Sequence, residues 1–141
     1  MRLREQRLWT AMRGALNGKA LMERVENMMG DGRPDVDVLA DGNFVPVELK
    51  AKEAWPKTER GAVLGADGLR LSQRNWHLRW LQWGGRSLIV VGVGEGAARE
   101  VFIFGGSDAD YVNGFNTAQF RAAAIGKGWA DLLALIKERQ R

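Results

Sequence analysis

Residues 35–50 constrain the fold more than any other stretch of the chain. Asp35-Val36-Asp37-Val38-Leu39 alternates in polarity, and Phe44-Val45-Pro46-Val47-Glu48-Leu49-Lys50 alternates again. Asp41-Gly42 lies between them, and Asp-Gly flanked by alternating runs is a strong hairpin signal. A two-residue loop at Asp41-Gly42 sets the register. Val36 then faces Val47, Val38 faces Val45, Leu39 faces Phe44, Asp37 faces Pro46 and Asp35 faces Glu48. Side chains of a strand alternate between its two faces. Val36, Val38, Val45, Val47 and Leu49 therefore share a core face, while Asp35, Asp37, Glu48 and Lys50 share the other. Pro46 falls in a non-hydrogen-bonded pair, where its missing N–H costs nothing within the hairpin.

The flanking pattern is mixed. Leu3, Leu8, Met12 and Leu16, with Trp9 beside them, predict a helix over 2–17 that stops at Asn17-Gly18. Residues 20–29 read as a strand before a glycine-rich turn. Residues 51–70 lack clear periodicity, which predicts a functional or mobile loop. Ser72 is a candidate N-cap for a helix over 73–83, closed by Gly84-Gly85. Residues 87–93 form a nearly pure apolar run, as a strand covered on both faces does. Strand 44–50, helix 73–83 and strand 87–93 then make a β-α-β unit, right-handed by default. A further strand is expected over 100–104, and short helices over 117–125 and 129–139. The 141 residues suit one α/β domain with a mixed sheet.

Composition removes several chemistries. Without cysteine there are no disulfides, zinc fingers, iron–sulfur clusters or thiol catalysis. One histidine, His77, excludes a multi-histidine metal site, and no Gly-x-Ser-x-Gly elbow accompanies it. The net charge of +4 permits an anionic partner such as nucleic acid.

The hairpin's polar face carries the chemistry. Carboxylates opposed across a strand pair repel, and a divalent cation relieves that repulsion. Magnesium takes oxygen ligands and commonly needs only one or two carboxylates. Asp35 and Glu48 can share one ion, and the main-chain carbonyl of Leu49 is a third oxygen. Lys50 can hold a water or offset negative charge on a phosphate. The plain alternative is a solvated outer face. Three carboxylates against one lysine leave that face unbalanced, which favours a site for metal-dependent phosphodiester hydrolysis.

Pro34-Asp35, twelve residues, then Glu48-Leu49-Lys50 resembles the motif of the PD-(D/E)XK nuclease superfamily. Arg24-Val25-Glu26-Asn27, Gly32-Arg33-Pro34-Asp35-Val36, the Ser72-Gln73-Arg74-x-Trp76 helix start and the Gly84-Gly85 turn resemble small phage nucleases of the VRR-Nuc and Holliday-junction-resolvase type. The resemblance spans residues 2–104, with 105–141 as a helical completion, although the 51–70 loop and the C-terminal helices depart from longer VRR-Nuc proteins. It implies a restriction-endonuclease-like mixed sheet flanked by helices, and metal-dependent cleavage of DNA, including branched or Holliday-junction DNA. By family pattern Asp35 and Glu48 bind Mg2+, with Mn2+ as substitute, and Lys50 is the catalytic lysine. Glu5 is the candidate for a further glutamate, Glu26 competes for that role, and Gln73 lies near the site. A bacterial or phage-infected cytoplasm is the expected location, since neither a signal peptide nor a membrane span is apparent.

Two other functions stay open: a nickase or end-processing nuclease with the same site, and a non-catalytic DNA-binding accessory protein. Junction cleavage favours a homodimer. His77 reads as a packing or surface residue. Trp76, Trp80 and Trp83 can stack on bases, although at helical spacing a core or dimer face is the commoner meaning. Arg70, Arg74 and Arg79, and Lys52, Lys57 and Arg60 on the loop, are candidate phosphate contacts. Gly92-x-Gly94-x-Gly96 lacks the following helix of a dinucleotide loop.

Overall fold

A computed structural model describes residues 2–25 and 32–138. Helix α1 (Leu3–Leu16) leads into β1 (Leu21–Arg24), followed by the hairpin of β2 (Val36–Ala40) and β3 (Asn43–Lys52). Helix α2 (Leu71–Gln82) connects β3 to β4 (Leu88–Val93). Then come β5 (Glu100–Gly105), α3 (Thr117–Ala123), β6 (Gly126–Lys127) and α4 (Gly128–Lys137). The strands form one six-stranded sheet in sequence order. Only β3 and β4 are parallel, and every other neighbouring pair is antiparallel. The fold is α/β, a mixed sheet flanked by four helices. Among the described residues no helix is long and apolar enough to cross a membrane.

The β2–β3 hairpin has the expected register, from Ala40 opposite Asn43 to Val36 opposite Val47. Asp41 and Gly42 both take positive φ, 51° and 79°, as a two-residue hairpin turn requires. Pairing of β3 with β4 begins only at Val47, so the missing N–H of Pro46 interrupts neither ladder. Val36, Val38, Val45, Val47 and Leu49 are fully buried against Leu8, Met12 and Leu16 of α1 and Leu132 and Ile136 of α4. The opposite face of β4 and β5 buries Ile89, Val91, Phe102 and Phe104 beneath Val63, Leu64, Val112 and Phe120.

Four expectations need correction. The 51–70 segment is not a loose loop: β3 runs on to Lys52, and Val63, Leu64 and Leu69 are buried in the second core. Helix α2 is capped by Arg70 rather than Ser72, because Gln73 Oε1 accepts the Arg70 N–H at 2.8 Å. Residues 105–138 add a strand as well as helices, and both cores depend on them. The tryptophans of α2 are not core. Trp83 is 87% exposed, and half-buried Trp76 and Trp80 stack on each other at 4.9 Å. What α2 buries instead is polar, Gln73 and His77.

Candidate active site

Strand β2 starts at Val36, so Asp35 sits one residue outside the ladder. Its Oδ2 accepts the Leu49 N–H at 2.8 Å, where a neighbouring strand's carbonyl would otherwise sit. That bond turns the Asp35 carboxylate toward β3 and sets it against Glu48. A strand residue's N–H and C=O point to the same edge, so the Leu49 carbonyl lies on the Asp35 side too. The third carboxylate of this face, Asp37, is held apart by Arg33 at 2.7 and 2.8 Å.

Glu48 is fully buried and Lys50 is 6% exposed. Such burial of an outer hairpin face arises because α2 lies over it. Gln73 Nε2 donates to Glu48 Oε2 at 3.3 Å, and His77 Nε2 lies 3.4 Å from Oε1. Both are long for hydrogen bonds, so the two groups orient the carboxylate more than they stabilise it. His77 Nδ1 lies 2.7 Å from Ser87 Oγ. A carboxylate can only accept. The neutral ring therefore donates from Nε2 and accepts the Ser87 hydroxyl proton at Nδ1. Gly106 leaves room for that hydroxyl, because a β-carbon there would overlap Ser87 Oγ.

Burial pushes the Asp35 carboxyl up to about 8, helped by the charge of Glu48 and the hydrogen bond to it, and opposed by Leu49 N–H and Lys50. Burial also pushes Glu48 up to about 7, against the hydrogen bond from Asp35 and the charge of Lys50. The pair thus shares a proton that Asp35 carries and Glu48 accepts. His77 is pushed down to about 4 by burial, opposed by the charge of Asp35, and is neutral at pH 7. Its contact with Glu48 is then a hydrogen bond and not an ion pair.

Glu5 is brought to this place from the start of α1. Its Oε1 lies 3.8 Å from Lys50 Nζ, while Oε2 accepts the Arg2 N–H at 3.1 Å. Its charge reaches Glu48, but its carboxylate faces Lys50 rather than joining the pair. Glu26 lies outside the described residues. Among the described residues no group of three or more His, Asp or Glu side chains forms a ready metal cage. The two-carboxylate set still suits magnesium, which needs no more than that and completes its shell with water. Two buried carboxyls resist ionising beside a single ammonium, and the positive charge they lack is what a divalent ion brings.

Asp35, Glu48 and Lys50 are thus gathered at one place, as the hairpin register implied, and Glu5 and Gln73, which only the resemblance had suggested, lie beside them. Of the packing-or-surface reading of His77, the packing half stands and the surface half does not. It is fully buried and touches Glu48. Gln73 and His77 are four apart on one helix, so one face carries both, and that spacing was the available signal. Ser87 had none. The candidate phosphate contacts scatter: Lys52 is tied to Asp67 at 2.7 Å, and Lys57, Arg60 and Arg79 are exposed. Compared with protein-family models and with curated proteins, the chain gives no match.

Proposed function

We propose that this chain is a divalent-metal-dependent endonuclease of restriction-endonuclease-like fold that hydrolyses DNA phosphodiester bonds, with branched DNA as its preferred substrate. The observation that carries the proposal is the buried Asp35–Glu48 pair with Lys50 on the same face. A solvated outer face would not bury a glutamate completely and then surround it with a lysine, a glutamine and a histidine. Two carboxyls buried beside a single ammonium are costly, and groups so perturbed favour a functional reading.

Asp35, Glu48 and the Leu49 carbonyl would hold Mg2+ or Mn2+. Bound there, the ion would polarise a phosphoryl oxygen and activate water as the nucleophile. The protein's own groups supply the rest. Leu49 N–H fixes Asp35, and Gln73 and His77 fix Glu48. Lys50, restrained by Glu5, presents an ammonium that offsets charge building on the phosphate. The basic net charge favours a polyanion. A homodimer belongs to the same proposal, supported by the exposed apolar side chains Leu71 and Leu81 on α2 and Trp83 at its C-cap.

The test is cleavage of labelled four-way-junction, nicked, single-stranded and linear duplex DNA with Mg2+ or Mn2+, beside Glu48→Ala and Lys50→Ala. Wild type should cut the junction best, and both variants should fail while staying folded. A wild type that binds DNA yet cuts none of these with either metal would leave an accessory DNA-binding protein on this fold.

A further inference from the structure

A cleft runs between the start of α1 and the turn joining β4 to β5. Its larger part, about 290 Å3, is walled by Arg2, Arg4 and Arg7 over Ala51. A smaller part of about 40 Å3 continues from Arg4 and Arg7 to Lys52 and Arg99. Glu5 lines the larger part, and its carboxylate reaches Lys50 at 3.8 Å. The cleft and the candidate centre therefore share a wall.

The charges in this cleft are incompletely matched. Arg2 and Lys52 both bond to Asp67, at 3.1 and 2.7 Å, and Arg4 bonds to Glu53 at 2.9 Å. Such solvent-facing pairs are weak and open readily. The guanidiniums of Arg7 and Arg99 have no ion pair or hydrogen bond among the described residues. Glu95 is the one wall carboxylate without an ion pair among the described residues, and it is exposed. Two cationic forks facing one small space repel until an anion comes between them. A planar guanidinium matches phosphate oxygens two at a time. The larger part comes close to the volume of a small-ligand site, and the smaller part, where Arg99 joins Arg7, is a narrow extension of it.

The glycine pattern 92–96 shapes this cleft. A β-carbon at Gly92 would come within 2.9 Å of Leu8 Cδ1, so glycine there lets α1 lie close over β4. Gly94 and Gly96 take φ of 96° and 55°, and a β-carbon at Gly94 would meet the Ala98 carbonyl oxygen at 2.9 Å. These residues fold the turn tightly enough that Arg99 lines the same small space as Arg7. The pattern serves a cleft wall and not a dinucleotide loop.

We propose that this cleft is a phosphate subsite, where Arg7 and Arg99 hold a second phosphate of the strand whose scissile phosphate lies at the Asp35–Glu48 centre. The inference rests on the nuclease reading and gives the direction in which the strand leaves the centre. Both a backbone diester and a strand-terminal monoester carry the required chemistry.

The experiment is fluorescence anisotropy of labelled DNA, with and without a 5′-phosphate, across a salt series in chelator. Wild type is compared with Arg7→Gln/Arg99→Gln. The control Arg13→Gln/Lys137→Gln removes the same charge elsewhere. The cleft variant should weaken binding roughly tenfold and lower the slope of log K against log salt by about one, as loss of a phosphate contact does. Loss on both DNAs identifies a diester, and loss confined to phosphorylated DNA identifies a terminal phosphate. Arg7→Lys/Arg99→Lys should recover the slope but only part of the affinity. Equal thermal midpoints for wild type and variants separate these effects from misfolding. If wild type binds and the cleft variant matches the control, the subsite is refuted while the nuclease reading stands. If wild type binds no DNA, either in chelator or with Ca2+ added, the nuclease reading falls and the subsite with it.

Discussion

Replacing Asp35 by Asn should stabilise the protein at pH 8 in the presence of a chelator. The Asp35 carboxyl is pushed from 3.8 to about 8, first by burial and then by Glu48. The unfolded chain gives up that proton near pH 4. Between those values the folded state binds more protons than the unfolded one, so stability falls as pH rises through the window. Glu48, raised to about 7, acts with the same sign. Each pKa unit is worth about 1.4 kcal/mol, so the Asp35 shift alone has a ceiling of about 5 kcal/mol at pH 8. Side-chain relaxation and water entry reduce such costs, which leaves about 2–3 kcal/mol as the expected gain. Asn keeps the shape, still donates to Glu48 and never ionises. Urea unfolding reads the effect. With a slope of about 2 kcal/mol/M, the variant's midpoint should lie roughly 1 M above wild type at pH 8 and merge with it near pH 4. Saturating Mn2+ should reverse the order. A ligand at 1,000 times its Kd stabilises by about 4.1 kcal/mol, more than the variant's expected gain, and the variant lacks one of the carboxylates that hold it. Superimposed curves at pH 8 in chelator would refute the desolvated pair. A wild-type midpoint that Mn2+ does not move would refute the metal site.

Three further outcomes are expected. Lys50→Ala should cut the rate of DNA cleavage by about 10²-fold or more, as loss of a group that stabilises transition-state charge does, with its far-UV circular dichroism unchanged. His77→Leu should weaken Mn2+ binding about 10–100-fold by calorimetric titration, the usual cost of removing a partner that orients a ligand. His77→Gln, which can still donate to Glu48, should recover most of that affinity. Gly106→Ala should lower stability by about 1–3 kcal/mol by thermal unfolding, because its β-carbon overlaps Ser87 Oγ and lies 3.3 Å from His77 Nδ1.

Local rules made the hairpin legible from residues 35–50 alone. Asp41-Gly42 dictated the turn, the turn dictated the register, and period two then separated Val36, Val38, Val45 and Val47 from Asp37 and Glu48. The same reasoning found β4, whose apolar run is buried on both faces, and its parallel partner β3. It also brought Asp35, Glu48 and Lys50 together, since their spacing is a property of one hairpin. What lies over the hairpin is a different matter. Gln73 and His77 are 25 and 29 residues from Glu48, and no local pattern says which side of α2 will face it. The three tryptophans even made the flank beside these two residues look like the core. The 51–70 segment misled for a related reason: Val63, Leu64 and Leu69 are spaced irregularly, yet they drop into a pocket that β4, β5 and α3 supply. Turn chemistry and alternation act over a few residues and are written in the chain. Burial of a polar face, the proton shared by two carboxyls and the cleft between Arg7 and Arg99 depend on where distant elements meet, and only the folded structure decides that.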